Sequence, residues 1–232
     1  YRALLFDGVV LARKTGVGAI RRPVLVVLGI LPDGRKEIID WRLARSESEE
    51  EWLRFLNDLF RRGLTGAGVE IVGLDGGKGL RAALSTCFPS LPVQRCWAHK
   101  VRNITEKVRR TDQEAVKRHL RAIYQARDLV QARKAAGRFA QTWTHRYPKA
   151  VACLRADIDE LLTFLRFKDP AWRKAVRTTN AIERRFREVR RRTRPMGVFF
   201  DHTSIERILF AVFTHLNKCQ NVPPLFPLTQ KS

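Results

Sequence analysis

The order of strand-like and helix-like stretches constrains the fold of this chain more than any other feature. Three apolar runs come first, over residues 3–11, 24–31 and 36–43, and the turn signal Pro32-Asp33-Gly34 joins the last two. From residue 46 the pattern changes to helix, strand, helix, strand, helix. Strands with short links favour an antiparallel meander, whereas strand–helix alternation favours parallel pairing. The sequence therefore predicts an α/β fold with a mixed five-stranded sheet flanked by helices.

Other stretches complete the predicted architecture. A basic loop over residues 13–22 separates the first two strands, and residues 112–177 have helical spacing, which predicts an all-helical insertion. Residues 1–111 are predicted to form the first part of the core. Residues 178–220 would supply its closing helices, and residues 221–232 a loosely held C-terminal tail.

A helix with an arginine-rich face is predicted to follow the insertion. Asn180 can cap its first turn, and Glu183 stands three residues later, as in a capping box. An apolar stripe at i, i+4, i+7 would dock on a core; it consists of Ile182, Phe186 and Val189. Taken alone, the motif is explained if Glu183 caps the helix and pairs with Arg187 one turn later.

The charge of the chain indicates a polyanionic partner. Its 45 Lys and Arg outnumber 23 Asp and Glu, which gives a net charge of +22, and 44% hydrophobic residues are enough for a core. Such an excess on a foldable chain is most typical of nucleic-acid binding, although a membrane surface or ribosomal RNA would also fit the charge alone. The sequence shows no long apolar run and no signal-peptide pattern, so neither membrane insertion nor secretion is predicted. The four cysteines lack any Cys-x-x-Cys, which suits a reducing compartment.

Three carboxylates stand in positions that burial alone would disfavour. Asp7 interrupts the first strand, Asp75 follows the fourth strand, and Glu183 begins the arginine-rich helix. Such a set could hold two divalent cations for phosphoryl transfer, and hard oxygen ligands favour Mg²⁺ or Mn²⁺ over zinc. Structural interpretations stay open, because Asp7-Gly8 could form a bulge or turn and Asp75-Gly76 a strand-to-helix turn.

At these residues the chain resembles the catalytic part of Mutator-type bacterial insertion-sequence transposases, an acidic-triad class with a ribonuclease H-like fold. The resemblance covers nearly all 232 residues. Its motifs are Leu5-Phe6-Asp7-Gly8-Val9; Leu74-Asp75-Gly76-Gly77-Lys78-Gly79-Leu80 with Gln94-Arg95-Cys96-Trp97-Ala98-His99 and Arg102-Asn103; and Thr178-Thr179-Asn180-Ala181-Ile182-Glu183-Arg184. Gly77 departs from the family, which more usually has a polar residue there, often His. Arg185-Phe186 likewise replace a commoner Leu-Asn.

The resemblance implies a function and a set of partners. Asp7 would bridge two Mg²⁺ or Mn²⁺ ions, and Asp75 and Glu183 would each complete one coordination sphere. The enzyme would cleave a DNA strand at the end of an insertion sequence and join the freed 3′-hydroxyl to target DNA. It would act as an oligomer, at least a dimer, in the bacterial cytoplasm on nucleoid DNA. A family DNA-binding region is expected upstream of Tyr1.

Further residues are assigned supporting roles. Backbone phosphates of DNA are expected to contact basic side chains, namely Lys78, Arg102, Arg184, Arg187, Arg190, Arg191 and Arg192. Site support is expected from Cys96, His99 and Asn180. A zinc site is disfavoured because the second pair that Cys96 and His99 would need, His215 and Cys219, lies far downstream on the closing helix. Of the tryptophans, Trp143 and Trp172 are candidates for stacking on a flipped base, although core packing is the favoured interpretation.

Two other functions compete with transposition. A ribonuclease H-like nuclease or resolvase would hydrolyse DNA without strand transfer. A non-enzymatic basic nucleic-acid-binding module would use the three carboxylates only as structural groups. Dependence on Mg²⁺ separates the module from both enzymes, and strand transfer separates the two enzymes.

Overall fold

A computed structural model describes residues 1–15, 18–193 and 202–219, without the side chains of residues 12–21 and 202. The fold is α/β, with a five-stranded mixed sheet in the order β3-β2-β1-β4-β5. The strands are β1 Ala3–Thr15, β2 Gly18–Ile30, β3 Lys36–Leu43, β4 Ile71–Leu74 and β5 Val93–Arg95. The predicted mixed five-stranded sheet is confirmed.

Ten α-helices are found in the described part of the chain. They are α1 Glu49–Arg61, α2 Lys78–Cys87, α3 Trp97–Thr105, α4 Gln113–Tyr124, α5 Leu129–Trp143, α6 Pro148–Arg155, α7 Ile158–Leu162, α8 Pro170–Val176, α9 Asn180–Thr193 and α10 His202–Lys218. Short 3₁₀ turns cover Arg110–Asp112 and Thr163–Arg166. Across these described residues, no helix has the length and apolarity needed to cross a lipid bilayer.

The chain forms two compact units, which we describe separately. The first comprises Tyr1–Leu91 with Thr179–Ser232, and the second comprises Pro92–Thr178. The predicted helical insertion, residues 112–177, lies within the second unit. Pro195-Met196-Gly197, a sequence that predicts the end of a helix, and the predicted tail from residue 221 lie outside the described residues.

The first hairpin is longer than predicted. The basic segment 13–22 was predicted to be a loop, and this is wrong: β1 and β2 stay paired out to Thr15 opposite Gly18. The physical reason is that the antiparallel ladder is made by backbone N–H and C=O groups, which can pair in a ribbon even where the side chains are basic rather than apolar. The antiparallel meander of the first three strands is confirmed.

The register of the sheet divides its side chains between two helical layers. Phe6, Val27 and Asp40 are paired across the first three strands and share one face, which carries α1, because the ring of Phe6 meets Trp52 edge-on at 6.5 Å. The next row consists of Asp7, Val26 and Trp41. It faces α10, because Trp41 contacts Phe213 at 6.5 Å.

Helix boundaries follow local capping chemistry. Ser46 and Glu49 have the spacing of a capping box, but the N-cap of α1 is Ser48, whose Oγ accepts the N–H of Glu51 at 3.4 Å. Helix α3 begins at Trp97, directly after the buried Cys96, whose side chain makes no capping hydrogen bond. Within the predicted helical insertion, the stretch from Pro148 to Arg166 is three short pieces, because the chain turns between α6 and α7 and tightens into a 3₁₀ turn after α7.

Asn217 of α10 covers part of the β3 edge of the sheet. Ile38 of β3 donates its N–H to Asn217 Oδ1 at 3.0 Å, and Asn217 Nδ2 donates to the Ile38 carbonyl at 2.9 Å. The amide thus supplies the donor and acceptor of a missing neighbouring strand. An edge that is blunted in this way is less available for pairing with another chain.

In the second unit, buried polar side chains join β5 and α3 to the helices. Gln94 donates to the Leu161 carbonyl and accepts the N–H of Phe164 at 2.7 Å, and the Trp97 indole also donates to Leu161. Lys100 is buried and pairs with Asp157. These contacts satisfy groups whose burial without partners would be costly.

An ion pair between β3 and α1 provides a test of the packing of the first unit. Burial raises the pKa of the Asp40 carboxyl, and the guanidinium of Arg62 opposes that rise. Arg62→Met should therefore reduce the free energy of unfolding by about 2 kcal/mol at pH 7, because it leaves a mostly buried carboxylate without its cation.

The loss of unfolding free energy in Arg62→Met should be smaller at low pH than at pH 7. Without Arg62 the pKa of Asp40 rises further above its unfolded value, so the folded state holds the proton more strongly and gains stability as pH falls through that raised pKa. Urea unfolding at pH 7 and pH 4.5 measures this. An equal deficit at both pH values would contradict it, and Arg54→Met, which removes an exposed pair with Glu50, is the matched control on α1.

Candidate functional site

Asp7 lies in the middle of β1 and points toward the layer of α9 and α10. Its side chain belongs to the row of Val26 and Trp41, and it is only 3% exposed. A carboxylate in such a position is costly unless it is bonded or ligated. The bulge or turn interpretation of Asp7-Gly8 is wrong, because the register of β1 with β2 is regular through both residues.

Asp75 follows β4 immediately and lies next to Asp7 along the sheet. Strands β1 and β4 are parallel and pair Leu5 with Gly73 and Phe6 with Leu74. Extending this register by one residue brings Asp7 and Asp75 opposite each other, and neighbouring strands are about 4.8 Å apart. The sheet therefore brings two of the three predicted carboxylates to one place, at the carboxyl end of β4.

Asp75 also shapes the turn into α2. Its Oδ1 accepts the N–H of Gly77 at 2.8 Å, and Gly76 has a φ of +98°, which favours glycine. The strand-to-helix turn interpretation is thus correct for Oδ1. Within the described chain Oδ2 accepts no hydrogen bond, so this oxygen is available to a ligand.

Glu183 lies in the first turn of α9, a helix that packs against β1. The predicted stripe of Ile182, Phe186 and Val189 is buried, and Phe186 meets Phe213 of α10 at 5.4 Å. Burial of this stripe leaves Glu183 half-buried at the start of the helix. The third predicted carboxylate is therefore carried by the helical layer toward which Asp7 points.

Asn180 does not have the predicted capping role. It is the first residue of α9, where Ile182 N–H bonds the Thr179 carbonyl at 2.8 Å. The side-chain oxygen of Asn180 is buried and accepts no hydrogen bond from the described residues. The predicted cap is therefore wrong, because the helix starts one residue earlier than the capping pattern requires.

The three carboxylates have the chemistry of a Mg²⁺ or Mn²⁺ site, but the side chains are not gathered into a closed one. In the ranges that the structure covers, no group of three or more His, Cys, Asp or Glu side chains converges closely enough to hold a metal ion. The backbone juxtaposition of Asp7 and Asp75 and the packing of α9 on β1 fit a site that an ion would draw together. Metal binding by the triad stays a prediction.

The arginines of α9 are not equivalent. Arg184, Arg187 and Arg190 are exposed, and none of them forms an ion pair with a described residue. Arg191 and Arg192 instead bind Glu188, at 3.0 and 2.9 Å. Three of the five predicted phosphate contacts on this helix thus have fully available guanidinium groups, and two must compete with a carboxylate.

Arg185 is turned inward, away from the arginine face. Its guanidinium donates to the Lys36 carbonyl at the start of β3 and to the Ala181 carbonyl. Burial, with a smaller contribution from Arg184, lowers the pKa of Arg185 to about 10. Arg185 therefore contributes to the packing of α9 on β3.

The other predicted site residues are distributed over two helices. Lys78 is the exposed first residue of α2 in the first unit. Cys96 is buried immediately before α3, while His99 lies in the first turn of α3 and Arg102 is exposed on the same helix, all in the second unit. Their roles in DNA contact or site support stay predictions.

The two suspected tryptophans are core residues. Trp143 is 8% exposed and donates its indole N–H to His119 at 3.1 Å. Trp172 is 7% exposed and stacks on Phe167 at 5.8 Å. Neither indole face is open to a base, so the favoured interpretation of core packing is confirmed.

A fourth carboxylate near β1 escaped the sequence analysis. The carboxyl group of Glu47 lies where a side chain on Gly8 would project, with atoms 2.5 to 2.8 Å from the position of a Cβ there. Gly8 shares the α1 face with Phe6, so Glu47 approaches β1 from the opposite side to Asp7. The one signal in the sequence is Gly8 itself, because a glycine inside a strand often marks a place where another group approaches the backbone closely.

Comparison with known proteins identifies related sequences along the whole site. A family model described as "Transposase, Mutator family" matches residues 1–220. The transposase for insertion sequence element IST2 of Acidithiobacillus ferrooxidans is 41% identical over 170 residues, 73% of this chain and 57% of that protein.

Two further relatives agree with these matches. The transposase for IS905 of Lactococcus lactis subsp. lactis is 31% identical over 217 residues, 94% of this chain and 54% of that protein. The transposase for IS6120 of Mycolicibacterium smegmatis is 37% identical over 194 residues, 84% of this chain and 58% of that protein. The chain therefore spans little more than half the length of these curated relatives.

Proposed function

Because this chain belongs to the Mutator family of transposases, we propose that it is the catalytic part of a DNA transposase with a ribonuclease H-like fold. Its reaction would be metal-dependent cleavage of a DNA strand at the end of an insertion sequence, followed by transfer of the 3′-hydroxyl end to target DNA. The working form would be an oligomer on paired ends.

The register of β1 and β4 is the observation that carries this proposal. It supports a site in which Asp7 and Asp75 lie side by side at the sheet, with Glu183 on the helix packed over β1. The three carboxylates come from distant parts of the sequence and from one compact unit. A purely structural use of three such acids would not require them to share one region.

Each of the three residues has a distinct part in the proposed site. Asp7 in the middle of β1, Asp75 through Oδ2 and Glu183 in the first turn of α9 would together hold Mg²⁺ or Mn²⁺ as oxygen ligands. When bound, such ions activate an attacking oxygen and stabilise the leaving oxygen of phosphoryl transfer. The exposed guanidinium groups of Arg184, Arg187 and Arg190 would hold backbone phosphates beside this negative site.

A non-enzymatic nucleic-acid-binding module is the second candidate. It is favoured by the turn that Asp75 Oδ1 makes with Gly77 and by the open arrangement of the acids among the described residues. A nuclease that only hydrolyses would share the acidic site, and it differs by lacking strand transfer. The two enzymes and the module thus predict different metal and DNA behaviour.

Calorimetric titration with Mn²⁺ in the presence of a short DNA duplex tests the proposal. We expect binding to the unmodified chain and its loss in Asp7→Asn and in Asp75→Asn, because each substitution removes a charged oxygen ligand. Asp33→Asn is the control, since Asp33 lies in an exposed turn and pairs with Arg35. Equal heats of Mn²⁺ binding for all four proteins would contradict metal binding by the three carboxylates and leave the binding module as the leading candidate.

Strand transfer then separates the two enzymatic candidates. A labelled DNA with a free 3′-hydroxyl end is incubated with a target duplex and Mn²⁺. Joined products support the transposase, and shortened products alone identify a hydrolase.

A further inference from the structure

A groove in the second unit, lined in part by polar side chains, has no function in the reaction described above. It runs between α4 and α5 and encloses about 330 Å³. The lining residues are His119, Ala122, Ala135, Arg138, Gln141 and Thr142. Two alanines thus leave room in the groove, and the other four side chains carry polar groups. No Asp or Glu lines it.

The tautomer of His119 is set by its neighbour Trp143. The indole N–H can only donate, and it lies 3.1 Å from His119 Nδ1, so Nδ1 accepts. The neutral imidazole must then carry its proton on Nε2, and this N–H donates to no residue in the described part of the chain. His119 therefore presents an oriented donor beside the groove.

Two more donors of the groove have no other use. Arg138 is exposed and forms no ion pair with the described residues, although most other basic residues of α5 and its flanks are paired, as Arg133 is with Asp159 at 2.8 Å. The amide of Gln141 is exposed and likewise makes no hydrogen bond among the described residues. The hydroxyl of Thr142 is used, since it donates to the Arg138 carbonyl at 2.9 Å.

The surroundings of the groove reinforce its positive charge. Arg118 is exposed on α4 one turn before Ala122, and Lys134 is exposed on α5 one turn before Arg138. The nearest acid in sequence on α4, Glu114, already pairs with Lys117 at 2.8 Å. A groove with donors, excess positive charge and no lining acceptor carboxylate is suited to an oxyanion.

We propose that the α4–α5 groove is a second nucleic-acid contact, in which Arg138, His119 Nε2 and Gln141 hold a phosphate of the DNA backbone. The inference rests on the proposed DNA substrate, but it concerns binding and not catalysis. A backbone phosphate, rather than a base, is the expected ligand because the groove offers donors and charge without an open aromatic face, Trp143 being buried. Contact of this kind would not depend on DNA sequence.

Fluorescence anisotropy with a labelled 20-base-pair duplex, without divalent metal, tests this groove. Arg138→Gln should weaken binding about tenfold at low salt and reduce the slope of log K against log salt by about 0.9, the value for one phosphate contact. The matched control is Arg133→Gln, which removes the same charge from the same helix, where Asp159 already neutralises it. That variant should bind nearly as the unmodified chain does.

A second substitution keeps the test valid if Arg138→Gln alters folding. Gln141→Glu places a negative charge in the groove at an exposed position of α5 and should weaken DNA binding while its circular dichroism stays unchanged.

If neither variant changes affinity or salt slope, while Arg187→Gln on α9 does, the groove proposal is overturned and the proposed function stands. If the groove variants weaken binding but Mn²⁺ titration finds no triad site, the groove stands and the catalytic proposal fails. Weaker binding of an acidic peptide but not of DNA would assign the groove to a protein partner and overturn the proposal.

Discussion

Glu183→Gln is expected to lower the rate of Mn²⁺-dependent strand transfer by about 10³-fold or more. The substitution keeps the shape of the side chain in the first turn of α9 but removes the charge that would complete one metal sphere. Loss of that contribution removes several kcal/mol of transition-state stabilisation, and about 4 kcal/mol corresponds to 10³-fold. Single-turnover transfer of a labelled 3′-hydroxyl end to a target duplex measures it.

The control for this experiment lies on the same helix. Glu188→Gln makes the same chemical change five residues later, where the carboxylate only pairs with Arg191 and Arg192. That variant should retain activity within a few-fold, and it could bind DNA slightly better because two guanidinium groups are released. Equal losses in both variants would show that α9 tolerates no such change and would remove the special role of Glu183.

Gly79→Ala is expected to destabilise the first unit by at least about 3 kcal/mol. A Cβ at this position would lie 2.5 to 2.7 Å from backbone atoms of Glu47, Ser48 and Glu49. Backbone atoms at the start of α1 cannot move away as the end of a flexible side chain can, so either α2 or α1 must shift. Urea unfolding, followed by far-ultraviolet circular dichroism, measures the change.

Gly77→Ala is the matched control, two residues earlier in the same turn. Its Cβ would meet only Asp75 Oδ1, at 3.5 Å, which is ordinary contact. The variant should unfold within about 0.5 kcal/mol of the unmodified chain. A similar loss in both variants would contradict the packing role of Gly79.

The glycines after Asp75 have a structural role in the turn between β4 and α2. A glycine-rich turn between a strand and a helix invites a phosphate-binding interpretation, although the Walker pattern is absent. In the structure Gly76 supplies a positive φ and Gly79 allows α2 to approach the start of α1. The turn is therefore built for position, and it holds Asp75 at the end of β4.

The order of elements was readable from the sequence because it depends on local patterns. Turn signals, period-two apolar runs and the stripe of Ile182, Phe186 and Val189 predicted the meander, the later strand–helix alternation and the buried face of α9. The family resemblance, carried by short motifs around Asp7, Asp75 and Glu183, is confirmed by the match over residues 1–220. Short motifs of this kind can be recognised without a structure because they consist of residues that are adjacent in the sequence.

Other features could not be predicted from the spacing of side chains. The extent of the first hairpin is set by backbone pairing that basic side chains do not reveal. The inward turn of Arg185 depends on the carbonyl of Lys36, which is distant in the chain. Arg191 and Arg192 pair with Glu188 within α9, at i+3 and i+4, a local contact that the prediction of one arginine face did not include.

The sequence alone determined which residue types carry the proposed chemistry: three carboxylates, a basic surface and a family motif. The tertiary structure decided where those groups lie, because the parallel register of β1 and β4 puts Asp7 beside Asp75 and the packing of α9 on β1 brings Glu183 to the same layer. It also created the α4–α5 groove, since the donors of His119 and Arg138 are 19 residues apart and meet only when two helices pack. Local pattern specifies a side chain, and only long-range packing specifies its neighbours.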